Sequence, residues 1–405
     1  MTKEKLVILL TVLVTVIGFG IVIPVLPFYV EEFGARPTTI TLMFASFSLV
    51  SFLSAPFLGD LSDRIGRRPV LIGAICMTAI GWVVFAGAGS VPLLFLGRMI
   101  DGAGAGSLSI TQSYLVDLSK NEKERAANLG LIGAAFGIGF MLGPMLGGVL
   151  STVSHSFPFW VAAGLAILNA IFAYFFLPES LKEFRKEGRV TVNPIRPLLR
   201  AAKDRNLRPL YISWVMFSLA FVTSQSVFAL YVHNVFAFDS FQTGSAFTAM
   251  GLIVAVNQAV LLKYLWLRRF TERTLEMVML WFLFFGLLAF TVPSLWAFAL
   301  AALLMSTGQS VLRVVLTSQV AGAADPTTRG QTLGILASLM AACMATGPVL
   351  AGPLFEVHDT LPYYAAAGYI AIALVAARRF AKTHPSLRSA GAAVTVSAGA
   401  EATPL

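Results

Sequence analysis

Long apolar runs alternate along the chain with short polar segments. Twelve runs stand out, at residues 6–29, 40–58, 70–89, 93–115, 127–150, 157–177, 209–231, 243–266, 274–292, 294–317, 330–353 and 361–380. A hydrocarbon core of about 30 Å takes a helix of roughly 20 apolar residues. The pattern therefore predicts an all-α polytopic membrane protein with 12 transmembrane helices. The first run follows Lys3 and Lys5 as a signal peptide would, but it is long and lacks a small-residue cleavage site, so it reads as the first span.

The polar segments divide the runs into two sets of six. Residues 179–208 carry nine basic residues and read as a cytoplasmic linker. It joins an N-terminal six-helix bundle, 1–178, to a C-terminal one, 209–382, and the Ala-, Ser-, Gly- and Thr-rich tail 383–405 reads as disordered. An internal repeat supports the division. The segment from Arg125 aligns without gaps on the segment from Arg329, bringing Gly143-Pro144 onto Gly347-Pro348, Gly104 onto Gly308 and Leu108 onto Leu312. Parallel repeats of this kind build secondary transporters whose substrate site lies between two halves.

Composition changes the picture only through where the charges fall. The chain has 405 residues, 57% of them hydrophobic and 12% charged, with a net charge of +9. In a soluble protein that charge would point to nucleic acid; here it sorts by side of the membrane. Arg36 is the only one of the 29 Lys and Arg residues in the loops opposite the termini, while Arg98 and Arg313 lie within spans. The bias predicts that both termini are cytoplasmic. Cys76 and Cys343 sit in separate apolar runs and read as packing residues. The four histidines, 155, 233, 358 and 384, show no ligand spacing and receive no chemistry.

Three stretches carry candidate chemistry. Between the second and third runs stands Gly59-x-x-x-Asp63-Arg64-x-Gly66-Arg67-Arg68, where glycines permit a tight turn and the carboxylate can accept from a guanidinium or a helix N-terminus. A purely topological anchor would need the arginines alone. In the fifth run Gly139, Gly143, Pro144, Gly147 and Gly148 provide small residues four apart for close helix packing, with a proline kink. In the fourth, Arg98 and Asp101 are three apart and share a helix face. Charges at that depth are costly and face a bundle interior or a wet cavity. The alternative is an Arg98 that snorkels outward with Asp101 as a structural partner. Desolvation favours the neutral acid and Arg98 the charged one. The "GAGAGS" that follows lacks a strand before it and a phosphate-loop lysine, so it reads as helix packing.

The first stretch matches at every specified position the loop signature of the major facilitator superfamily, G-x-x-x-D-R-x-G-R-[KR], and the chain resembles that family. The resemblance implies a cytoplasmic latch of Gly59, Asp63, Arg64, Gly66, Arg67 and Arg68, with Asp117 at the end of the fourth span. The Gly-Pro pattern is similar to the family's antiporter motif, found in drug/proton exchangers. Arg98 stands at the span-four arginine to which proton coupling is ascribed, and Asp101 is the candidate proton carrier. Pro24 and Pro27 interrupt the first run in the manner of 12-span drug/proton antiporters. The pattern differs from tetracycline exporters at Thr15, where those carry an acid, and in the absence of a span-eight histidine.

Gln112, Gln225, Asn257, Gln258, Gln309 and Arg313 are candidate substrate-cavity residues amid Phe- and Met-rich runs, each of them also able to serve as an interhelical hydrogen bond or, for Arg313, to snorkel. No nucleotide, metal or catalytic motif appears, so a proton gradient is the expected energy source and no cofactor is expected. The reading is a functional monomer in a bacterial inner membrane, not an enzyme. It exchanges protons for a small amphipathic or drug-like solute and has no nucleic-acid partner. A symporter or uniporter for a metabolite such as a sugar or organic acid is the alternative.

Overall fold

The structure is a computed structural model describing residues 3–119, 121–181, 195–204, 206–325 and 328–383. The middle of the expected linker, 182–194, and nearly all of the tail thus lie outside the described residues. Every regular element among them is helical. The first half comprises α1 (Lys3–Glu31), α2 (Pro37–Ile65), α3 (Arg67–Ala86), α4 (Val91–Gly104), α5 (Ser107–Asp117), α6 (Glu122–Ser151) and α7 (Phe157–Phe176). A short α8 (Arg196–Lys203) precedes α9 (Arg208–Phe236) and α10 (Ser240–Val256). A π-helical segment, Asn257–Trp266, and α11 (Leu267–Arg269) continue α10, followed by α12 (Glu272–Phe290), α13 (Leu295–Ala323), α14 (Arg329–Val357) and α15 (Leu361–Thr383).

Eleven helices among the described residues are long and apolar enough to cross a membrane. The remaining run, the fourth, expected as one span over 93–115, is divided into α4 and α5. At the division the backbone closes three-residue turns, Ala105 N to Gly102 O at 3.2 Å and Ser109 N to Gly106 O at 3.1 Å. Packing explains it. A Cβ on Gly102 would lie 2.6 Å from Phe47 O and one on Gly106 2.7 Å from Leu58 Cδ1, while one on Gly104 would run into Ala74 O and Thr78 Oγ1. The glycine run lets α2 and α3 approach this helix at backbone distance, at the cost of its regularity.

Several helices outrun their apolar runs. Hydropathy registers only the lipid-spanning portion, whereas caps and ion pairs carry a helix on into water. α6 begins at Glu122 because the Asn121 side chain accepts from Glu124 N at 2.8 Å, with Glu122 and Glu124 favoured in the first turn. α1 runs unbroken through Pro24 and Pro27, which corrects the expected interruption. The two missing N–H groups leave carbonyls of Gly20 and Ile23 without their usual donors, a loss that tight packing tolerates in a span. Every residue from Ile21 to Val30 except the two prolines is a buried hydrophobic.

Two compact units are distinguished, one of Met1–Pro194, Gln225–Gly251 and Met344–Asp359, the other of Ile195–Ser224, Leu252–Cys343 and Thr360–Leu405. In the first, α1 packs on α6 and α7, α3 on α4 and α7, and α2 on α4. An aromatic core joins α1, α3 and α7. Tyr29, Phe85 and Phe159 lie within 5.7 Å of one another by ring centroid, and Trp82 stacks on Phe159 at 7°. In the second unit α12 is the hub, packing on α13 and α15.

Candidate functional site

The charged stretch between the second and third spans is a joint rather than a loop. α2 continues to Ile65 and α3 starts at Arg67, leaving Gly66 alone between them at φ 109°, where only glycine is comfortable. Gly59 therefore lies inside a helix, not in a turn, and a Cβ there would meet nothing within 4 Å. A charge pair one turn apart supports the last turns of α2, Arg64 Nε lying 2.7 Å from Asp60 Oδ2, and a second bridges the joint, Arg67 Nη1 lying 2.5 Å from Asp63 Oδ1.

Arg67 is the hub. It is 8% exposed, and besides Asp63 it reaches Asp117 Oδ2 through Nε at 3.1 Å and donates to Ser62 Oγ at 2.7 Å. It thereby ties the end of α2 to the end of α5. Glu179, read from sequence as the first linker residue, instead caps α3: its two carboxylate oxygens accept from Arg67 N at 2.9 Å and Arg68 N at 3.0 Å. A carboxylate at a helix N-terminus meets both the free N–H groups and the positive end of the dipole. Arg68 points elsewhere, donating to Tyr174 O at 2.7 Å. Ser180 Oγ adds a donor to Asp117 Oδ2 at 3.2 Å. Sequence reasoning missed Ser62, Glu179 and Ser180. The signal available for Glu179 was an acid placed directly after a span, ahead of a segment rich in basic residues.

The Gly-Pro stretch is two-faced. On one face Gly139, Gly143 and Gly147 meet α1: a Cβ would lie 2.7 Å from Val16 Cγ1, 2.7 Å from Gly20 Cα and 2.8 Å from Ile21 O, respectively. On the other, a Cβ on Gly148 would lie 3.1 Å from Ser240 O, and one on Gly244 of α10 would lie 2.5 Å from Pro144 O. Pro144 stands inside the continuous α6 between these faces. Gly20 and Gly244 complete the stripe and were not singled out from sequence. Gly143→Ala is expected to push α1 from α6 and lower stability by about 1–3 kcal/mol. Thermal unfolding of the purified protein checks it, and an unchanged melting temperature would remove the close-packing role.

Arg98 and Asp101 lie on the buried side of α4, 1% and 6% exposed. Their Nη1 and Oδ2 atoms are 2.8 Å apart. The guanidinium sits 4.3 Å from the Phe47 ring centroid and 5.5 Å from that of Trp82, and Thr78 gives Asp101 a side-chain hydrogen bond. Arg98 Nε and Nη2 find no hydrogen-bond partner. The pair thus faces α2 and α3 within the first unit, with its cation held by π faces instead of a full set of acceptors. A second buried acid was missed: Glu276 in the second turn of α12 is 2% exposed. Its place close to the polar start of that run hid it.

The candidate cavity residues differ in exposure. Gln112 is exposed and Gln225 half-buried in the first; in the second, Gln258 and Arg313 are exposed and Gln309 half-buried. Asn257 is 2% exposed and fully engaged. Its Nδ2 donates to Ile253 O and Thr307 Oγ1, and its Oδ1 accepts from Trp266 Nε1 at 3.0 Å. It staples the π-helical segment to itself and to α13, a structural use of a rare backbone form. No group of three His, Cys, Asp or Glu residues placed to hold a metal occurs among the described residues.

The family model for the Major Facilitator Superfamily matches residues 8–275. The class C tetracycline resistance protein of Escherichia coli is 29% identical over 86% of this chain and 89% of its own length. The quinolone resistance protein NorA of Staphylococcus aureus is 25% identical over 91% and 94%. Among solved structures, the human organic anion transporter MFSD10 superposes with a TM-score of 0.69 at 25% identity, covering 93% of this chain and 99% of that one. With its 12 spans, its charged α2–α3 joint and these likenesses, the chain belongs to the Major Facilitator Superfamily and is a membrane transporter, not an enzyme.

Proposed function

We propose that the protein is a proton-coupled antiporter that exports a small amphipathic or drug-like solute by alternating access between its two six-span halves. The carrying observation is the buried Arg98–Asp101 pair. A charge pair enclosed in a lipid-spanning helix is expensive to maintain, and such pairs line ion and proton routes. The Gly-Pro stripe of α6, packed on α1 and α10, supports an exchanger, and two relatives are named for resistance to tetracycline and quinolones. The Arg67 network is the latch of this reading, breaking and re-forming as the cytoplasmic side opens and closes. The protein acts as a monomer in a bacterial inner membrane with both termini cytoplasmic. A proton gradient drives it without a cofactor.

Inverted membrane vesicles from an efflux-deficient host test the reading. Energised vesicles carrying the protein should lose part of their interior acidity when a transported compound is added, and the same host should gain resistance to that compound. A flat susceptibility panel with no proton signal would overturn the proposal in favour of metabolite transport.

A further inference from the structure

One end of the first unit, where α1 finishes, gathers four titratable side chains from three separate parts of the sequence. Glu31 closes α1 and Glu32 follows it, His155 lies in the turn between α6 and α7, and His233 stands three residues before the end of α9. His155 Nδ1 is 2.6 Å from Glu32 Oε1, and its ring stacks on Phe28 at 6.0 Å and 24°. His233 meets the same Phe28 edge-on, at 5.0 Å and 79°. Phe28 itself is 8% exposed. One aromatic side chain of α1 is therefore held by two imidazoles, one from each half of the sequence.

The hydrogen bonds decide which ring nitrogens are open. His233 Nδ1 lies 2.9 Å from Phe238 O, a carbonyl that can only accept, so Nδ1 carries the hydrogen and Nε2 is left to gain or lose a proton. An ionised Glu32 imposes the same tautomer on His155. The Phe238 carbonyl is aimed by a tight helix end: Phe238 N donates to Val232 O, Ala237 N to His233 O, and Ala237 sits at φ 55°, the one left-handed non-glycine residue among those described. Glu31 lies within electrostatic reach of both rings. The other acids of this end have partners of their own, Asp239 at Gln242 N, Glu356 at Thr38 N and Asp359 at Asn234.

We propose that His155 and His233 form a proton-responsive clasp on Phe28 that holds this end of the molecule closed when it is acidic outside. A proton on His155 turns its contact with Glu32 into an ion pair, and a proton on either ring turns its contact with Phe28 into a cation–π contact. Both attractions exist only while α1, the α6–α7 turn and the end of α9 are together, so proton binding favours closure and proton loss at higher pH releases it. Imidazole is the side chain whose charge changes nearest neutrality, which suits it to such a response. The proposal rests on the exchange reading for its use: in a proton-driven exporter the outer end must close after the solute has left, and outside protons would promote that step.

The clasp is tested without transport. Spin labels at Val153→Cys and Val357→Cys, positions 72% and 76% exposed, report the opening of this end in lipid nanodiscs, in a background lacking Cys76 and Cys343. On going from pH 8 to pH 5.5 the closed-to-open ratio should rise roughly fivefold for each imidazole. His155→Gln and His233→Gln should each remove part of the response and the double variant all of it. Glu32→Gln, which keeps a hydrogen-bond acceptor for His155, should remove the share due to the ion pair. A double variant that still closes with acid, or a parent protein that does not, would overturn the clasp. Because distances are read with no solute present, a failed clasp with intact proton release leaves the antiport reading standing, and the reverse outcome leaves the clasp.

Discussion

Asp101→Asn is expected to abolish gradient-driven export while leaving substrate binding and downhill exchange measurable. The amide keeps the shape and the hydrogen bond to Thr78 but cannot alternate between charged and neutral forms. Arg98→Gln alone leaves a carboxylate 8% exposed at its side chain with no cation beside it, and should destabilise the protein by about 3–5 kcal/mol. The double variant, Arg98→Gln with Asp101→Asn, separates the two roles. Removing both charges together should recover most of the lost stability, since the cost lies in the unmatched charge. It should not recover export. Recovered export in the double variant, or normal proton-coupled export in Asp101→Asn, would mean that the pair is structural and that the proton moves elsewhere, with Glu276 as the next buried acid to replace.

The second large effect is expected at Arg67. Arg67→Ala takes one guanidinium away from Asp63, Asp117 and Ser62 at once, leaving two acids and a hydroxyl facing the gap. Discounting for the exposure of Asp63 at 39% and Asp117 at 23%, the loss is about 2 kcal/mol. Arg67→Lys should recover only part of it, because an ammonium cannot span the same three partners with a planar fork. Thermal unfolding reads the stability and solute flux per folded molecule reads the function. A latch predicts that flux falls more than tenfold in the alanine variant. Normal flux per folded molecule would reduce the cluster to an anchor for the α2–α3 joint.

Glu179, His233 and Asn257 show why the site was only partly legible. The chemistry of each depends on a partner that its local sequence does not name. Glu179 reads as the first residue of a basic linker until α7 delivers it to the start of α3, 112 positions earlier in the chain. His155 and His233 carry no ligand spacing, yet both arrive at Phe28. Asn257 looks available to a solute, but its amide is spent on the backbone, Thr307 and Trp266.

What the sequence by itself determined is whatever rests on short-range periodicity: twelve apolar runs, the Arg98–Asp101 spacing that puts two charges on one helix face, and the four-residue repeat of small residues in α6. Apolar length and helical pitch need no tertiary partner, because lipid imposes the helix wherever such a run enters it. The tertiary structure alone decided where polar helices end and which side chains meet. The turn expected at Gly59 became a continued helix supported by the Asp60–Arg64 pair, while Arg67, bound to Asp63 and Asp117, fixes the joint that follows it. The single fourth span became two because α2 and α3 come close enough to displace its backbone at Gly104 and Gly106. Hydrogen bonds and steric contacts act over a few ångströms of space whatever the separation along the chain, so only packing could choose them.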